Sequence, residues 1–111
     1  MKEIIIKTQK ELDKVKKDFE GTIYIEGGTY NNPLILSVNF TEAIVISRGS
    51  ATLILKENSQ VREMRESSQV RVMWGSSQVG EMWGSSQVRV MWGSSQVREM
   101  RESSQVRVMW G

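Results

Sequence analysis

The chain has 111 residues, with 15 basic and 13 acidic side chains and neither cysteine nor histidine. That length suits one small domain, and a net charge of +2 falls well short of the strong basic patch of a nucleic-acid binder. Without thiols or imidazoles there are no disulfides, no thiol nucleophile, no Ser-His-Asp triad and few metal ligands, so an enzyme, a cofactor or a bound metal is not expected.

The N-terminus reads as a cap, residues 1–21. Met1-Lys2-Glu3-Ile4-Ile5-Ile6-Lys7 has too short an apolar run for a signal-peptide core or a membrane span, which makes the cytoplasm the default location and gives no membrane role. Residues 3–7 suit a strand. A helix follows: Thr8 and Glu11 have capping-box spacing, and Leu12, Val15 and Phe19 form one apolar stripe opposite solvated Lys10, Lys14, Lys16 and Lys17. Such a strand and helix would cover the first rung of a stack.

Residues 22–57 carry short β-branched runs: Thr22-Ile23-Tyr24-Ile25, Leu34-Ile35-Leu36, Ala43-Ile44-Val45-Ile46 and Ala51-Thr52-Leu53-Ile54-Leu55. Gly27-Gly28, Asn31-Asn32-Pro33 and Arg48-Gly49-Ser50 punctuate them as turns. The segment Gly21-Thr22-Ile23-Tyr24-Ile25-Glu26-Gly27-Gly28-Thr29-Tyr30 resembles the opening strand of right-handed parallel β-helix proteins of bacteria and their phages. That resemblance implies a parallel β-helix fold. Many such proteins act on polysaccharides, but no catalytic residues carry over to this sequence.

Residues 58–111 are a tandem array. Gln60, Gln69, Gln78, Gln87, Gln96 and Gln105 recur every nine residues, each followed by Val and, four residues on, by Met. The unit is Ser/Asn-Ser-Gln-Val-x-x-Met-x-x. Nine fits neither the helical repeat of 3.6 nor a heptad, whereas nonapeptide repeats are a β-helix signature. The sixth position alternates strictly: Glu63, Val72, Glu81, Val90, Glu99, Val108. A three-sided coil would mix Glu and Val in one column; a two-sided coil of about 18 residues separates them. The predicted fold is therefore an all-β, parallel two-sided β-solenoid with an N-terminal strand-helix cap, irregular coils over 22–57 and three regular coils over 58–111.

The invariant residues belong inside: Val61, Met64, Val70, Met73, Val79, Met82, Val88, Met91, Val97, Met100, Val106 and Met109, with the Ser that precedes each Gln. Three unpaired buried glutamates would be prohibitively costly, so the sixth position faces out. Inward residues at positions four and seven then require a bend or bulge between them. The Gln columns have the placement for an amide ladder.

Two outer faces are candidate sites. Val72, Trp74, Val90, Trp92, Val108 and Trp110 form an apolar strip. It marks an interaction face, or else the Trp rings fold over the coil corner. On the opposite face Arg62, Glu63, Arg65, Glu81, Arg98, Glu99 and Arg101 form an ion-pair ladder, with Glu81 pairing across rungs to the Arg residues above and below. A column of Arg71, Arg89 and Arg107 beside Trp would suit single strands, but the interleaved Glu and the near-neutral charge argue against nucleic acid. Calcium-binding nonapeptide β-rolls use Asp, and these units have none. The repeat ends at Gly111 with no second cap, leaving either a cut chain or an end that meets another molecule. The expected function is structural: self-association through that end or the Trp face. The alternative is a binding module whose flat Trp/Val face matches a glycan or an ice surface. Insect ice-binding solenoids are similar in their short coils and flat face, but use Thr ladders and disulfides.

Overall fold

In the computed structural model, which describes residues 2–110, the chain is a parallel β-solenoid. It opens with strand β1 (Lys2–Ile6) and helix α1 (Gln9–Asp13). Four irregular strands follow, β2 (Gly21–Ile25), β3 (Leu34–Leu36), β4 (Ala43–Ser47) and β5 (Thr52–Leu55). The repeats supply β6 (Gln60–Met64), β7 (Gln69–Met73), β8 (Gln78–Met82), β9 (Gln87–Met91), β10 (Gln96–Met100) and β11 (Gln105–Met109). One sheet has the order β1-β2-β4-β6-β8-β10 and the other β3-β5-β7-β9-β11. All pairings within each sheet are parallel, with Gln60 opposite Gln78 in one and Gln69 opposite Gln87 in the other. One coil is thus two units long, and the Glu and Val columns lie on different sheets as expected.

Inside, Val61, Met64, Val70, Met73, Val79, Met82 and Val88 have no exposure, and Met91 is buried. Two inward residues three positions apart force the strand off simple alternation. The bulge is visible where the repeats begin. Leu53 pairs with Val70 but Ile54 pairs with Val72, so Arg71 is the extra residue. Val97 and Val106 occupy the same columns and pack against the core. Met100 and Met109 correct the sequence reading: they are 47% and 71% exposed, because no described residue covers the last coil. Gly111 lies outside the described residues.

The corners are built from small residues. Ser59, Ser68, Ser77 and Ser86 are fully buried, as predicted, and so is Ala51, which precedes Thr52 as Ser68 precedes its partner Gln69. Ser47 Oγ donates to Ser68 Oγ at 3.2 Å, whereas the hydroxyls of Ser59, Ser77, Ser86 and Ser104 make no hydrogen bond. The column therefore selects for size more than for polarity. Each turn also bonds to the turn below, as in Ser76 N–H to Glu57 O at 2.9 Å and Ser94 N–H to Gly75 O at 3.0 Å.

At the N-terminus the capping box is present. Glu11 N–H donates to Thr8 Oγ1, and Thr8 N–H to Glu11 Oε1, each at 3.1 Å. The helix is shorter than its apolar stripe suggested. After Asp13 the backbone tightens into i→i+3 bonds, Val15 N–H to Leu12 O and Phe19 N–H to Lys16 O. Leu12 is buried, and Val15 and Phe19 still pack on the core from these turns. The helix also closes a sheet edge. Gln9 Oε1 accepts from Ile35 N–H at 2.7 Å, and Gln9 Nε2 donates to Ile35 O at 3.0 Å. One side-chain amide thus imitates a neighbouring strand along β3.

Candidate functional site

Identical residues stacked in register bring like side chains together every ~4.8 Å, and the Trp column shows the consequence. Trp74 and Trp92 have ring centroids 5.4 Å apart and planes 5° from parallel; Trp92 and Trp110 are 5.5 Å apart at 14°. The rings lie at the coil corner, 43%, 36% and 55% exposed. They stack face on face in the offset geometry aromatic pairs prefer. The strip read from sequence is therefore not a flat platform. Trp92 has a ring against each of its faces, and Trp74 and Trp110 each turn one face to it. Val72 and Val90 are half-buried beside the ladder, and Val108 is exposed on the last coil.

The charged face also differs from its sequence reading. Glu63, Glu81 and Glu99 stand in register. Arg65 pairs with Glu63 at 2.8 Å and Arg101 with Glu99 at 2.7 Å, so these pairs form within a rung and not across rungs. The reason is positional. Residues two apart on a strand share its outer face, whereas the middle rung has Gly80 and Trp83 in place of both arginines. Glu81 has no ion pair among the described residues. Arg101 instead lies 4.6 Å from the centre of the Trp83 ring. Exposed pairs of this kind contribute about 0–1 kcal/mol each. Arg62 and Arg98 take part in no ion pair among the described residues.

The Gln columns are in register, but their side-chain amides make no bond to one another among the described residues; the expected amide ladder is not formed. Instead Gln78 N–H donates to Ser59 O, and Gln87 N–H to Ser68 O. On the other sheet Tyr30 engages part of the basic column. Arg71 and Arg89 lie 5.2 and 4.7 Å from its ring centre, and Arg71 Nη1 donates to Tyr30 O. No spacing in the sequence announces that contact, which spans 41 residues, nor the Gln9 clamp on Ile35.

One feature of the turns was readable and was missed. Gly75, Gly84 and Gly93, the ninth residues of their units, have φ near +65°, and Glu57, Glu66 and Glu102 share that conformation at φ near +60°. The recurring glycine was the signal, since glycine reaches this region without steric cost. The Glu11 carboxyl has its pKa lowered chiefly by the hydrogen bond from Lys7 N–H, with help from Thr8 N–H and Oγ1 and against partial desolvation. Among the described residues no cluster of three or more acidic side chains is arranged to hold a metal ion, and no helix is long and apolar enough to cross a membrane.

No known protein family, curated protein or solved structure matches the chain.

Proposed function

We propose that the solenoid is a structural module that associates with a second copy of itself through the coil formed by β10 and β11. The carrying observation is the Met column. Met64, Met73 and Met82 have no exposure, yet Met100 and Met109, in the same interior columns, are 47% and 71% exposed. Burying one such side chain is worth about 1.5–3 kcal/mol. The outer edges of β10 and β11 also offer strand backbone groups for pairing.

The two ends of the stack are not alike, which favours a closed pair over a fibre. Gln9 occupies the backbone of Ile35 in β3 at the cap end, so head-to-tail growth meets a blocked edge on that sheet. A two-fold contact between two β10–β11 coils joins open edge to open edge and terminates. The stacking of Trp92 between Trp74 and Trp110 works against the Trp/Val strip as a sugar-binding platform, because a platform of successive rings must leave the faces between them free. No catalysis is part of the proposal; the outward glutamates stand on near-identical rungs.

Light scattering over a wide concentration range tests this reading. The expected mass at high concentration is twice the 12.7 kDa chain, falling to 12.7 kDa in Met109→Glu. A monomer at every concentration, or a variant that associates as the parent does, overturns it.

A further inference from the structure

The methionines of the repeat are chemically alike but differ in their reach to solvent. Met64, Met73 and Met82 have no exposure and Met91 has 4%, whereas Met100 and Met109 have 47% and 71%. The register explains the split. Met100 pairs with Met82 and Met109 with Met91, so each coil shields the one before it, and the last described coil shields without being shielded. The chain has no cysteine. A peroxide therefore meets no thiol, and its two-electron chemistry falls on the thioethers it can reach.

Oxidation changes what these two side chains can join. The methionine sulfur attacks one oxygen of hydrogen peroxide. An S–O bond forms as the O–O bond breaks, the sulfur gives up two electrons, and the second oxygen leaves as water with both protons. The product is a sulfoxide, a polar acceptor where a flexible apolar group stood. Val97 and Val106, the inward valines of the same coil, have no donor to offer it. A sulfoxide pressed between two such coils is a polar group buried without a partner, which is costly.

We infer that Met100 and Met109 are oxidation sites, and that their conversion to sulfoxides by hydrogen peroxide prevents two copies from pairing. The switch rests on the self-association proposed above. It is confined to two sulfurs of the repeat: Met64, Met73, Met82 and Met91 stay reduced, so the stack stays folded. Pairing in turn hides both reactive sulfurs, so the separated copy is the form that reacts.

The test treats dilute protein with hydrogen peroxide, follows each methionine by peptide mass mapping, and then measures the mass of the concentrated product by light scattering. Met109 converts first and Met100 next, ahead of the four buried methionines of the repeat, with circular dichroism unchanged. The oxidised protein then stays near 12.7 kDa where the parent pairs, its dissociation constant raised about tenfold or more by the unpartnered polar groups. Methionine sulfoxide reductases for both sulfoxide epimers restore pairing. Conversion of all six at one rate, or of the buried four first, overturns the assignment of the sites. Oxidised protein that pairs as the parent does, or reductase-treated protein that stays apart, overturns the switch and leaves self-association standing. A parent that never pairs overturns self-association and the switch with it, while the order of conversion, read in the separated copy, still decides the sites.

Discussion

Residues 22–57 and residues 58–110 form coils of one stack by different means. The earlier coils fill the interior with alternating branched residues, Ile23 with Ile25, Leu34 with Leu36 and Leu53 with Leu55, all buried. Their spacing varies: Lys2 pairs with Gly21, Gly21 with Ala43 and Thr52 with Gln69, which is 19, 22 and 17 residues. The repeats hold to 18, as from Gln60 to Gln78 and Gln78 to Gln96. They use Val and Met three apart, with a bulge between. The inward side chains and the small corners thus set the cross-section, not the residue count. Loops absorb the surplus in one half, and the bulge absorbs it in the other.

The largest effects are expected from emptying the interior of each half. Met82→Ala and Leu53→Ala should each cost about 2–5 kcal/mol in urea unfolding, because both leave a cavity in a closed stack. Met82→Leu should cost less than about 1.5 kcal/mol, since filling the volume is what matters. A cost for Met82→Leu as large as that for Met82→Ala would mean that the bulge needs an unbranched side chain.

The corner column comes next. Ser77→Val should cost about 1–3 kcal/mol by overpacking. Ser77→Ala should be neutral or stabilising, because the Ser77 hydroxyl has no partner and Ala51 already fills the equivalent corner of an irregular coil. A loss on Ser77→Ala, seen in the same unfolding experiment, would assign the hydroxyl a bond.

At the turns, Glu57→Gly should stabilise by up to about 1 kcal/mol, the left-handed conformation being costly for a residue with a side chain. Gly84→Ala should destabilise, because it combines φ of +64° with a Cβ 3.0 Å from Glu66 O. Thermal unfolding of the pair reads both signs.

The smallest effect belongs to the cap. The Glu11 carboxyl is lowered in the folded chain, so its contribution is present above its unfolded pKa and lost as pH falls through the folded value. In acid titrations followed by circular dichroism, Glu11→Gln should flatten that part of the profile. An unchanged profile would place the acid sensitivity elsewhere.

Much of this was legible because repetition converts sequence columns into spatial columns. The alternation of Glu63, Val72, Glu81 and Val90 was enough to count two faces per coil, and invariant Ser, Val and Met marked the interior. What was not legible arises where a column meets something outside itself. Met100 and Met109 read as core because their letters match Met64 and Met73, but burial depends on a coil above, which a column does not reveal. The Trp strip looked flat because spacing places residues on a face without orienting their rings. The cross-rung pairing of Glu81 failed because Arg65 and Arg101, on the rungs to either side, pair with the glutamates of their own rungs. The Gln9 clamp on Ile35 links a helix to a strand in another coil, and no local pattern encodes it.

Hydrogen exchange at the last coil tests the proposed association most directly. The outward amides of β10 and β11, those not bonded to β8 and β9, should be protected at high concentration and lose protection on dilution, while amides of β8 and β9 stay protected throughout. Rapid exchange of those outward amides at every concentration would contradict it.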